Sequence, residues 1–157
     1  MHLHKYEKIW LSFGIGSLIL FLAILGVSAF AFGHHPPSEM ATVDSQNLSE
    51  DPIFSNPGLE EIGDNRYRAV LIAQAFGYNP SKIEVPEGAT VEFLVTSSDV
   101  IHSFTIPGTN VNFMVTPGHV NSAEYTFRES GEYLVICNEY CGTGHQFMQM
   151  VIEVVPQ

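Results

Sequence analysis

Between Ile9 and Phe32 the chain runs 24 residues, IWLSFGIGSLILFLAILGVSAFAF, without one charged side chain. A backbone leaves water only when its own polar groups are satisfied, so such a stretch folds as a helix. At 1.5 Å per residue it would reach about 36 Å, enough to cross a hydrocarbon layer of roughly 30 Å with some tilt. Lys5, Lys8 and Trp10 mark one end, and Glu39 is the first charge beyond the other. Basic residues stay on the cytoplasmic side, so the N-terminus is expected inside and the remaining chain outside, as in a single-pass protein of a cell inner membrane. The competing reading is a cleaved signal peptide, with Ala29-Phe30-Ala31 as its small residues, although the apolar run exceeds the roughly 7 to 15 residues usual there. Under either reading the C-terminal part of the chain is exported. Ser12, Gly16 and Ala23 fall near one face of the helix and would admit a second helix closely.

The organisation expected is therefore a cytoplasmic N-terminus and anchor over residues 1–35, a linker over 36–65 and an exported domain over 66–157. The linker stretch is rich in Pro, Ser, Asn and acid and has no sustained period. Its His34 and His35 are read as exposed residues outside any site. From Arg66 onward, short runs rich in Val, Ile, Phe and Tyr alternate with Pro, Gly, Asn and Asp. The predicted strands are Arg66 to Phe76, Lys82 to Val85, Thr90 to Thr96, Ile101 to Ile106, Val111 to Val115, Ser122 to Phe127, Glu132 to Ile136 and Met148 to Val155. Val91, Phe93 and Val95 alternate with Glu92, Leu94 and Thr96, the period of a strand with one buried face. About eight strands in this length need two facing sheets to bury their apolar sides, so the fold class is all-β, a small β-sandwich behind one transmembrane helix.

Charge narrows the partners. The chain carries 6 Lys plus Arg against 17 Asp plus Glu, a net charge of −11. A groove for phosphates needs clustered cations, which excludes nucleic acid as a partner.

The two cysteines, Cys137 and Cys141, sit in CNEYCGTGHQFM with His145 and Met148, and His102 lies 35 residues upstream of Cys137. Alone, the cysteine pair reads equally well as a disulfide in an oxidising compartment. The neighbouring imidazole and thioether favour a metal, and soft sulfur ligands favour copper. Cys137, Cys141, His145 and His102 would also suit structural zinc. An ordinary blue-copper site uses a single cysteine, whereas two thiolates can bridge two copper ions. An anchored copper-delivery protein and a zinc-stabilised binding domain stand as further alternatives.

The loop C-x-E-x-C-G-x-x-H-x-x-M with an upstream histidine resembles subunit II of the haem-copper cytochrome c oxidases, most closely the short single-helix form of the ba3-type enzymes. The resemblance implies a cupredoxin-like sandwich and a binuclear copper A centre of two copper ions. It implies that Cys137 and Cys141 bridge the ions, that His102 and Met148 complete one, and that His145 and the backbone carbonyl of Glu139 complete the other. The implied partners are cytochrome c as donor and a haem-bearing subunit I, in which oxygen is reduced to water. Phe76 falls where the donor would dock and deliver electrons. Glu7 falls at the mouth of a proton pathway, or is an ordinary surface acid. Asp99 is read as a supporting contact to His102. A similar dicopper domain occurs in nitrous-oxide reductase, attached there to a large catalytic domain for which 157 residues leave no room.

Overall fold

The computed structural model describes residues 4–32 and 41–156; His34, His35 and Glu39 lie outside them. The chain divides into two compact units, residues 1–35 and 36–157.

In the first unit, helix α1 spans Lys5–Phe32, 28 residues with none buried. It is long and apolar enough to cross a membrane. Its interior lacks proline, and its leucines and alanines lose little side-chain freedom in a helix. Glu7 closes its start by accepting the His4 N–H at 2.7 Å, one of the donors a helix N-terminus leaves without an internal partner.

The second unit is a two-layer sandwich of ten strands among the described residues. They are β1 (Gly58–Gly63), β2 (Arg66–Gln74), β3 (Gly77–Asn79), β4 (Lys82–Pro86), β5 (Thr90–Ser97), β6 (His102–Thr105), β7 (Asn112–Val115), β8 (Asn121–Thr126), β9 (Gly131–Ile136) and β10 (Gln149–Val155). One sheet has the order β1-β2-β5-β8 with β3 on β2, the other β4-β10-β9-β6-β7. β2 runs parallel to β5 and β10 parallel to β4, and the remaining pairs are antiparallel. Val91, Phe93 and Val95 from one sheet meet Phe104, Val135, Met150 and Ile152 from the other in a single core. Each large apolar side chain fully removed from water stabilises the fold by about 1.5–3 kcal/mol.

Three expectations are corrected. The stretch 36–65 is not a plain linker: its residues 58–63 pair with β2 from Gly58↔Val70 to Gly63↔Arg66. Ahead of that strand, Val43, Leu48 and Phe54 bury themselves against Val70, Ile72 and Val120 as a second, smaller core. The sheet therefore has its outer face covered over β2, whose Ala69 to Ala73 are all buried. For the same reason β5 does not have one buried face only: Leu94 packs on the second core and Thr96 is buried. Finally, β2 ends at Gln74, which leaves Phe76 on the turn into β3 rather than in a strand.

Candidate metal centre

Four segments converge where β9 ends and β10 begins. His102 opens β6, Cys137 follows β9, His145 starts a single 3-10 turn over His145–Phe147, and Met148 sits between that turn and β10. Antiparallel pairing of β9 with β10 from Gln149↔Ile136 onward brings the two ends of the loop together. The β6–β9 contact brings His102 in from a distant part of the chain.

Within this cage the Cys137 and Cys141 Sγ atoms lie 4.0 Å apart. A disulfide would need about 2.05 Å, and both cysteines are free thiols. Cys141 Sγ lies 3.6 Å from His145 Nδ1 and 3.5 Å from Met148 Sδ. The Cys137 thiol donates to the backbone carbonyl of Glu139 at 3.1 Å. One ring nitrogen of His102 and the two thiols lie within 4.8 Å of one another, and all three residues are buried. The structure brings His102, Cys137, Cys141, His145, Met148 and the Glu139 carbonyl into one cluster.

His102 is wholly buried, and its Nε2 is held by Asp99 Oδ1 at 2.7 Å. Among the described residues its Nδ1 has no hydrogen-bond partner. A buried polar atom without a partner costs about 1–3 kcal/mol, so an imidazole nitrogen left unpaired beside two thiols fits the role of a metal ligand. Burial, followed by the neighbouring Cys137, pushes the Cys141 thiol up to about 11. A cation would displace that proton, since a coordinating thiol is deprotonated outright. The donor set of two thiols, two imidazoles and a thioether suits copper better than zinc, which rarely recruits methionine.

Asp99 does more than face His102. Its Oδ2 accepts the Ala75 N–H at 2.7 Å, and its Oδ1 accepts the Val100 N–H at 2.7 Å. Burial works to raise its pKa, but the hydrogen bonds from His102, Ala75 and Val100 outweigh it and hold the carboxylate below the usual range. Phe76, next to Ala75, lies across the metal loop and is 40% exposed. A Cβ on Gly142 would stand 2.9 Å from the Phe76 ring, and one on Gly144 would be closer still. These glycines are the part of the site that sequence reasoning did not single out; the signal available was Gly at both alternate positions of CGTGH. Glu7, on α1, caps its helix and belongs to the other unit. Beside Cys141 a surface depression is lined by Asp99, Val100, Ile101, Pro117, Glu139 and Tyr140.

The family described as cytochrome C oxidase subunit II, periplasmic domain, matches residues 75–155. Cytochrome c oxidase subunit 2 of Thermus thermophilus is 42% identical over 147 residues, covering 91% of this chain and 88% of that protein. Among solved structures, a chain of a heme-copper terminal oxidase dimer superposes with a TM-score of 0.79 at 30% identity, covering 96% of this chain and all of that one. The periplasmic domain of subunit II of cytochrome oxidase from Bradyrhizobium japonicum superposes with a TM-score of 0.53 at 22% identity over 57% of this chain and 84% of that one, a likeness of fold. The sandwich is cupredoxin-like.

Proposed function

The chain belongs to the cytochrome c oxidase subunit II family, and from that premise we propose that it takes electrons from a cytochrome c at a pair of copper ions and hands them to haem in a partner subunit. It is an electron-transfer subunit of a haem-copper oxidase, and the oxygen chemistry belongs to the partner. It is anchored by α1; in the proposed arrangement Lys5 and Lys8 hold the N-terminus in the cytoplasm and the sandwich stands outside the inner membrane.

Cys137 and Cys141 would bridge the ions, His102 through Nδ1 with Met148 would complete one, and His145 with the Glu139 carbonyl the other. Copper bridged by two thiolates supplies a one-electron acceptor whose charge is shared between two ions. The chain's own part is to keep the cage dry and still. Cys137, Cys141, His102 and Met148 are each less than a tenth exposed, and Asp99 fixes the His102 ring from behind. A cage that needs little rearrangement suits electron transfer rather than bond-making. Phe76, lying on Gly142 and Gly144 and open to solvent on its other side, is the proposed contact for the donor. Glu7 is the proposed acceptor of protons from the cytoplasm; Glu7→Ala should slow steady-state oxygen reduction with copper reduction unchanged, and equal turnover would leave only the helix cap.

The observation that carries this reading is the orphaned, buried Nδ1 of His102 in a cage holding two free thiols. The test is metal analysis and electron paramagnetic resonance of the full chain purified from its membranes in mild detergent. Two coppers per chain with a purple mixed-valence signal, lost in Cys141→Ser, and co-elution with a haem-bearing multispanning subunit are expected. A colourless zinc site, or one labile copper without a haem partner, would refute it.

A further inference from the structure

β6 and β9 share one paired position, Thr105 opposite Ile136. Carried toward the metal centre, that antiparallel register would set Phe104 opposite Cys137 and Ser103 opposite Asn138, yet the ladder stops. In its place the Asn138 N–H donates to the side-chain hydroxyl of Ser103 at 2.6 Å. The Ser103 carbonyl accepts instead from Tyr78 Oη at 2.5 Å. Ser103 and Tyr78 are 1% and 4% exposed, so neither link competes with water.

A side-chain acceptor in place of a main-chain one lets two strands stand wider than the roughly 4.7–4.9 Å of a sheet. The residues immediately before Ser103 and Asn138 are His102 and Cys137, two of the proposed ligands. We propose that Ser103 is a positioning residue for the metal centre. Its hydroxyl latches the His102 strand to the Cys137 loop where the backbone ladder ends, and Tyr78 holds the same residue through its carbonyl. Without the hydroxyl, the Asn138 N–H either loses its partner or pulls the strands together, and either change moves His102 relative to Cys137 and the Glu139 carbonyl. A purely structural role for Ser103 would lower stability and leave the metal's electronic structure alone.

The consequence for copper rests on the function proposed above; the latch does not. In the full chain in detergent, the Asn138 amide should exchange its hydrogen as slowly as the amides of β9, and exchange as fast as an exposed loop would overturn the latch without any substitution. In the copper-loaded chain, Ser103→Ala should shift the visible bands and the copper hyperfine splitting and weaken copper retention against a chelator about tenfold. Ser103→Thr, which keeps the hydroxyl, should restore the parent spectrum. A parent chain that takes up copper normally while Ser103→Ala shows an unshifted spectrum and equal retention sinks this inference alone. A parent chain that takes up no copper sinks the function on which it rests.

Discussion

Phe76 and a side chain at position 144 compete for the same space. The ring lies so close over Gly142 and Gly144 that a methyl group on either would overlap it. Gly144→Ala should therefore drive the ring off the loop and cost about 1–3 kcal/mol, the usual penalty of overpacking. Denaturant unfolding of the full chain checks this, with Phe76→Ala as the second corner of a cycle. Once the ring is gone the methyl has room, so the two substitutions together should cost at least about 1 kcal/mol less than their sum. Strict additivity would show that the ring does not depend on this seat. The contrast with the ligands is instructive. Cys137, Cys141, His145 and Met148 announce themselves in the sequence because one loop of twelve residues carries them all. The glycines' partner is more than sixty residues away, and the Ala75 N–H that Asp99 accepts is a backbone group on a turn. Neither has any local signature, because each is created by the meeting of segments.

Strands with regular alternation are legible for the opposite reason: the period is written in each segment, as in β5, where Val91, Phe93 and Val95 point into the core. The segment before β1 has no such period. It contributes three apolar anchors, Val43, Leu48 and Phe54, separated by turns and acids, and only the sheet beneath gives them a common direction. Phe54 is the largest of the three and 1% exposed. Phe54→Ala should cost about 3–5 kcal/mol, read as a lowered midpoint of unfolding. The copper spectrum of the folded molecules should stay unchanged, because this cluster is separate from the core that holds the cysteines. A full-strength midpoint would mean the segment merely lies on the surface. At the other sheet, β4 and β10 are joined by the ion pair of Lys82 with Glu153. The hydrogen bond that Lys82 donates to Glu153, then the Glu153 charge, raises the Lys82 pKa above the ordinary lysine value. A raised folded-state pKa stabilises below the unfolded value and is lost as pH rises through the folded one. Glu153→Gln should accordingly lower stability slightly at neutral pH, by the little that an exposed pair contributes, and the two stability–pH curves should converge as pH rises through the lysine range.

At the scale of the whole molecule, the question is where a net charge of −11 acts. Composition alone suggests that it draws a basic cytochrome to the metal centre. The fold distributes it otherwise. Glu60, Arg68, Glu92 and Glu124 stand in register across β1, β2, β5 and β8, and Glu84, Glu153 and Glu132 across β4, β10 and β9. Glu132 is four residues from Ile136, the end of β9, which places it roughly 13 Å along the strand from the metal loop. The screening length at physiological salt is about 8 Å, so these rows act weakly at the loop except in dilute buffer. Around the loop itself the exposed side chains include Phe76, Val100, Ile101, Tyr140 and Phe147. Asp99 and Glu139 are the acids lining the depression there, and Asp99 is engaged by His102 and Ala75. Reduction of the copper-loaded oxidase by a basic cytochrome c should then slow only a few-fold between about 10 mM and 150 mM salt, below the roughly 10- to 1000-fold range of strongly steered association. Phe76→Asp should slow it at both salt concentrations, whereas Glu84→Gln with Glu132→Gln should matter only at the lower one. If neutralising those two acids abolished rapid reduction at the higher salt while Phe76→Asp left it intact, the donor would be binding the face of the sheet, and electrons would have to reach the copper from the side of the sandwich rather than across its end.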